Sequence, residues 1–139
     1  MSEHVCIQIF QECTGEHSHP YPQILVPLQE TMRIRAEETE YEVKLQELFF
    51  VPPGMNHRCN YRGRLLVLNL PLEVLDNREV AALCYPTVVS MHGQITQLVE
   101  LIQSELRQNP DSKSVRHLYS YLYSKLCENC AAPSIRYIG

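Results

Sequence analysis

The chain has 139 residues, 45% of them hydrophobic and 20% charged, with a formal net charge of −4; that suits one soluble domain burying roughly two thirds of the surface its unfolded form would expose. Its basic residues do not cluster, which excludes the usual electrostatic footprint of a nucleic-acid binder. No run of about 18 apolar residues predicts a membrane span, and Met1-Ser2-Glu3-His4 opens no secretion signal, so a cytoplasmic location with reduced thiols is expected for the six cysteines.

Residues 4–70 read as a succession of short strands. His4 to Gln11 alternates, with Val5, Ile7 and Ile9 on one parity, and Gln23 to Leu28 is a second apolar run. Met32, Ile34 and Ala36 alternate with Arg33 and Arg35, which predicts one buried and one wet face. Ala36-Glu37-Glu38-Thr39-Glu40 reads as a polar hairpin connection to a strand carrying Tyr41, Val43 and Leu45. Leu48 to Val51 is short and apolar and ends at Pro52-Pro53-Gly54. After the Arg62-Gly63-Arg64 turn, Leu65 to Leu70 is apolar on both parities and should be covered on both faces. Strands of this length and spacing indicate a sandwich or small barrel.

The pattern changes after Pro71. Leu72 to Leu83 is compatible with a short helix and Thr87 to Met91 with a returning strand. Gln94 to Asn109 is helical: Ile95, Leu98, Ile102 and Leu106 recur every three or four residues, with Val99 and Leu101 widening the stripe. Asn109-Pro110 ends it, and a second helix begins near Asp111-Ser112, where either residue can cap. That helix carries Val115, Leu118, Leu122 and Leu126 on one stripe beside Tyr119 and Tyr123, and the two helices should form an antiparallel hairpin. The expected organisation is a β-barrel over 1–93 and a helical hairpin over 94–139, together one structural domain.

The chemistry concentrates at His17, His19, Gln23 and His57. Residues i and i+2 of a strand share a face, so an extended stretch aims His17 and His19 into one space, with Gln23 following on the same parity. His57 opens a later strand after Pro52-Pro53-Gly54-Met55-Asn56. Three imidazoles and an amide oxygen suit a divalent transition metal, zinc, nickel, iron or manganese. The plainer alternative is a polar pocket wall that holds no ion.

The pattern His17-x-His19-x3-Gln23, followed by Pro52-x-Gly54-x2-His57, resembles the two motifs of the cupin superfamily. More narrowly, Gln23-Ile24-Leu25-Val26-Pro27-Leu28, Leu48-Phe49-Phe50-Val51-Pro52-Pro53-Gly54 and Leu65-Leu66-Val67-Leu68-Asn69-Leu70-Pro71 resemble the sensor half of AraC-type transcription regulators. The match covers roughly residues 15–71 well and the helical remainder weakly. The chain departs from the cupin pattern at four positions: Gln23 stands where Glu is usual, Glu30 and Gln46 where glycines are usual, and Tyr61 where Asn is usual. The resemblance implies a mainly β fold, a cupin-like double-stranded β-helix (jelly-roll barrel), followed by a C-terminal α-helical hairpin. It implies a small-molecule effector in the barrel mouth, with or without a divalent metal on His17, His19, Gln23 and His57. It also implies a homodimer, since such sensors pair through their last helices. Three neutral imidazoles leave a divalent site at +2, which favours an acidic effector. The segment ending at Ser134-Ile135-Arg136-Tyr137-Ile138-Gly139 resembles the lead into DNA-binding helices, so either a sensor cut at that boundary or a free-standing relative is expected. A small metal-dependent cupin enzyme of dioxygenase or isomerase type is the alternative, though no acid/base carboxylate accompanies the ligands in sequence, Glu30 and Glu47 falling at turns.

Several residues carry two readings. Tyr21, Cys59 and Tyr61 could line the effector pocket, although Cys59 reads more simply as a buried thiol. Leu118, Tyr119, Leu122 and Tyr123 form either the dimer seam or packing onto the barrel. Cys127-Glu128-Asn129-Cys130 has the spacing of a zinc knuckle or redox pair, yet without a second pair it reads as a helix-end coincidence. His4, His92 and His117 read as surface or capping residues, and the alternate arginines Arg33, Arg35, Arg58, Arg62 and Arg64 as a solvated face.

Overall fold

The computed structural model describes residues 5–10, 18–69 and 85–136, the first stretch and the end of the last by backbone alone. The elements are β1 (Val5–Phe10), β2 (Gln23–Pro27), β3 (Met32–Ala36), β4 (Thr39–Val43), β5 (Glu47–Val51), β6 (His57–Asn60), β7 (Gly63–Asn69), β8 (Thr87–Ser90), α1 (Gln94–Gln108) and α2 (Ser114–Arg136). The strands form a five-stranded sheet in the order β1-β7-β2-β5-β8 and a three-stranded sheet in the order β4-β3-β6. Every pairing is antiparallel. This is a jelly-roll type β-sandwich followed by a helical hairpin, as the alternation and the resemblance both imply.

Two apolar layers follow from the strand periodicity. On β2, β5 and β7 the residues of one parity, Leu25, Phe49, Val51, Leu65 and Val67, pack between the sheets against Met32, Ile34, Ala36, Val43, Cys59 and Tyr61. Those of the other parity, Ile24, Val26, Leu48, Phe50, Leu66 and Leu68, face the helices. The larger sheet is therefore covered on both sides, which explains why β7 is apolar on both parities. The smaller sheet buries one face only, and its other face alternates Arg33 and Arg35 with exposure.

The helices meet the sheet through Ile95, Val99, Ile102 and Leu106 of α1 and Val115, Tyr119, Leu122, Tyr123 and Leu126 of α2. Tyr119 is 2%, Leu122 0% and Tyr123 1% exposed within a single chain. Of the residues expected to form a dimer seam, Tyr119, Leu122 and Tyr123 pack in the chain's own core, with Leu118 at its edge. A heptad-like stripe specifies an apolar partner and not whose partner it is, which is why the two readings were equal in sequence. Leu101, expected to widen the α1 stripe, turns outward and is 47% exposed.

The turn between the helices is held locally. Asn109 Oδ1 accepts from the Asp111 amide at 3.0 Å, and the Asn109 amide donates to the Glu105 carbonyl at 2.9 Å. Ser112 does not serve the second helix as a cap: its hydroxyl reaches back to Glu105 Oε2 at 3.1 Å, and α2 begins two residues later. His17, His4 and the short helix expected over 72–83 lie outside the described residues, as do the side chains of Cys127 and Cys130.

Candidate functional site

Antiparallel pairing brings the start of β2 and the ends of β3, β5 and β7 to one end of the sandwich, together with the start of β6. There Gln23 lies opposite both Val51 and Asn69, and His57 lies opposite Ala36. Parity decides where these side chains go. Gln23 shares the parity of Leu25, Asn69 that of Val67, and His57 that of Cys59, all of which pack between the sheets. The inter-sheet space, apolar along its length, thus acquires a polar end.

The burial is unusual for such groups. Gln23 is 7% and His57 3% exposed, and with Ser112 they are the buried polar side chains among the described residues. Buried polar groups need partners. Gln23 Nε2 donates to Asn69 Oδ1 at 2.8 Å. His57 Nδ1 lies 3.1 Å from the Met55 carbonyl oxygen. A carbonyl only accepts, so Nδ1 is the donor in this contact, a bond that fixes the ring's orientation.

His19 reaches this end from the segment before β2, which is tied down by the Gly54 amide donating to the His19 carbonyl at 2.7 Å. Gly54 has φ 75, a left-handed turn that suits glycine and delivers His57 into β6. The His19 and His57 ring centres are 5.7 Å apart with planes inclined at 52°. Tyr21 stacks on His19, centres 5.1 Å apart and planes within 9°, with its hydroxyl 3.4 Å from His19 Nδ1. Beside His57 an open polar depression is lined by Arg35, Glu37, Glu38 and Asn56, and the Glu37 amide donates to the Asn56 carbonyl at 2.9 Å to close its rim.

Does this geometry fit a metal? An imidazole binding at about 2.0–2.1 Å has its ring centre roughly 3 Å from the ion, so two on one ion stand about 4.5–6 Å apart. The His19–His57 spacing falls in that range. No three His, Cys, Asp or Glu side chains come together among the described residues, and the third expected imidazole, His17, is not one of them.

The other expected pocket residues fare differently. Cys59 is 5% exposed and packs in the inter-sheet core two pairings along β6 from His57. Tyr61 is 3% exposed at the opposite end, where its hydroxyl donates to the Arg64 carbonyl at 3.0 Å and accepts from the Gln29 and Glu30 amides at 3.2 and 3.3 Å. It has the inward parity read from sequence, but its polar tip serves two turns. Asn69, Glu37 and Glu38 were missed as site residues. Asn69 is a polar residue closing an inward-facing apolar parity, and that was its signal.

Fold and site together define a jelly-roll sandwich with a helical hairpin on one sheet and an imidazole- and amide-lined end. No family model matches the chain. It is 25% identical over 130 aligned residues to an uncharacterized HTH-type transcriptional regulator, YobQ, from Bacillus subtilis strain 168, an alignment taking in 79% of this chain and 54% of that protein. Among solved structures it is similar to the AraC-like transcriptional activator CuxR, with a TM-score of 0.58 and 15% identity over 91% of this chain and 51% of that one. A looser likeness, with a TM-score of 0.44 and 12% identity over 88% of this chain and 38% of that one, is to YcfD, a ribosomal oxygenase from Escherichia coli in complex with cobalt and 2-oxoglutarate; no site is carried over from it. The chain thus spans about half the length of the regulators it matches.

Proposed function

We propose that this chain is the effector-sensing domain of an AraC-type transcription regulator of the cupin superfamily, whose DNA-binding part is not contained in these 139 residues. The observation that carries the reading is the polar end of an otherwise apolar inter-sheet space, where buried Gln23 bonds to Asn69 and the ring of buried His57 faces that of His19. The likeness to an HTH-type regulator and to an AraC-like activator supports it.

In this reading the open end takes a small effector, and His19, Gln23 and His57, with His17, hold a divalent ion. The ion would supply positive charge for an acidic effector. The chain's own residues do the rest: the Met55 carbonyl fixes the orientation of the His57 ring, Tyr21 packs on His19, and the apolar layer around Phe49 and Val51 keeps water from the deeper space. The back of β2, β5 and β7 is the floor on which α1 and α2 sit. An effector that prefers one packing of this shared sheet biases the placement of the helices, and only to the extent of that preference. A homodimer belongs to the same reading.

The test is elemental analysis of protein purified without chelator. About one equivalent of transition metal is expected, lost in His57→Ala. Stoichiometry unchanged by that substitution, or no metal in the parent, overturns the metal assignment. Light scattering giving a mass near 16.1 kDa would count against the dimer.

A further inference from the structure

The outer face of the smaller sheet carries six exposed polar side chains: Glu40 and Glu42 of β4, Arg33 and Arg35 of β3, and Arg58 and Asn60 of β6. Exposure alone makes them a solvated face. The register adds an order to it. Arg33 stands between Glu42 and Asn60, and Arg35 between Glu40 and Arg58. Each arginine of β3 thus has a carboxylate on one side. Arg58, on the edge strand, has none, and the residue directly opposed to it is another arginine.

Like charges directly opposed across an antiparallel pair destabilise it, because their Cβ atoms lie only about 5 Å apart. Glu40 does not relieve the repulsion: among the described residues no ion pair holds Arg33, Arg35 or Arg58. Two guanidiniums at that spacing can share one oxyanion, each turning a fork of N–H donors toward it. A phosphate group carries nearly two negative charges and at least three acceptor oxygens, enough for both forks, whereas one guanidinium occupies both oxygens of a carboxylate. Arg35 also walls the depression beside His57, but Glu37 and Glu38 line that depression and repel an anion from it. The place left for the anion is over the sheet face, between Arg35 and Arg58, with Arg33 on the same face two residues away.

We propose that Arg35 and Arg58 bind a phosphate group, free or carried by a small molecule, on the outer face of the smaller sheet. The site is independent of the metal reading, since Arg58 and His57 alternate to opposite faces of β6. The test follows the melting temperature of the chain in a titration with inorganic phosphate, against sodium chloride at matched ionic strength. At a phosphate concentration about four times its Kd the parent should gain about 4 °C over the chloride control. Arg58→Gln should melt no lower than the parent in chloride, since it removes a repulsion. It should bind phosphate about tenfold more weakly, which leaves a gain under about 1 °C. Arg107→Gln, an equal change of charge at an exposed position in the last turn of α1, should keep the full gain. Glycerol phosphate in place of inorganic phosphate separates a carried group from a free ion by which binds more tightly, and either order supports the pair. Equal gains in the parent and Arg58→Gln, an equal loss in Arg107→Gln, or a parent gain no larger than chloride gives, overturns the site. A marked fall of Arg58→Gln in chloride overturns the repulsion on which it rests.

Discussion

At one end of the sandwich, where β2 turns toward β3 and β6 toward β7, main-chain groups are gathered by side chains that have no other work. Tyr61 links the Arg64 carbonyl to the Gln29 and Glu30 amides, and that carbonyl also accepts from the Leu28 amide at 3.1 Å. Gln29 Oε1 accepts from the Arg64 amide at 2.6 Å. At the other end the polar side chains face inward and bond mainly to one another or to a neighbouring turn: Gln23 to Asn69, His57 to Met55, Tyr21 to His19. One end uses hydrogen bonds to close the chain; the other carries imidazole and amide side chains, with an open polar depression beside His57. The contrast teaches that burial and inward parity alone do not mark a site. Tyr61 and His57 are equally buried and share a parity, yet of the two only His57 borders the open polar depression.

The sharpest way to break this comparison is at Gly63. Its φ of 117 lies where residues with a Cβ rarely go, and an added Cβ would meet Gln29 Oε1 at 2.6 Å. Gln29 cannot yield cheaply, since the same oxygen holds the Arg64 amide. Gly63→Ala should therefore cost roughly 3 kcal/mol in strain and lost bonding, a fall on the order of 10 °C in melting temperature, with metal stoichiometry unchanged in the fraction that folds. A melting temperature within about 2 °C of the parent would show that the closed end is not held as described.

Tyr61→Phe asks the same with a smaller change. It keeps the ring in the inter-sheet core and removes only the hydroxyl. The Arg64 carbonyl retains Leu28 as a donor, and the Gln29 and Glu30 amides lie in exposed residues that water can reach. The expected loss is about 1–2 kcal/mol by urea denaturation. If Tyr61 belonged to the effector pocket instead, the substitution would shift effector or metal affinity and leave stability nearly constant.

Much of this was legible in the sequence because it is periodic. The alternation on β3, the double apolar parity of β7 and the three-to-four spacing of α1 state which faces are covered. The Gly54 turn and His57 behind it were equally plain. What escaped depends on register and on the identity of the covering surface. Asn69 matters because it lies across from Gln23, 46 residues away, and nothing local to either announces the other. Tyr119, Leu122 and Tyr123 show a stripe that any apolar surface would satisfy. Ser112 has the residue type of a helix cap and bonds backward to Glu105 because the hairpin turn presents that carboxylate first.

The smallest effects lie in the backbone, and they compare the two ends most directly. Each end holds one residue with a side chain in the left-handed region, Glu37 (φ 54) beside His57 and Gln46 (φ 70) before β5. That conformation costs an L-residue roughly 1–2 kcal/mol, partly offset by the greater freedom glycine gains when unfolded. Gln46→Gly and Glu37→Gly should each stabilise the fold by about 0.5 kcal/mol. Only the second removes a carboxylate from the depression next to His57. A surface carboxylate near a cation contributes modest attraction that salt screens, so Glu37→Gly should weaken metal binding about twofold at low ionic strength and less at high, whereas Gln46→Gly should leave it unmoved. If both variants gain stability and neither alters affinity, Glu37 is a turn residue and the ligating end stops at His57. If Gln46→Gly alone changes affinity, the two ends are coupled through β5, and the separation between a closed end and a binding end does not hold.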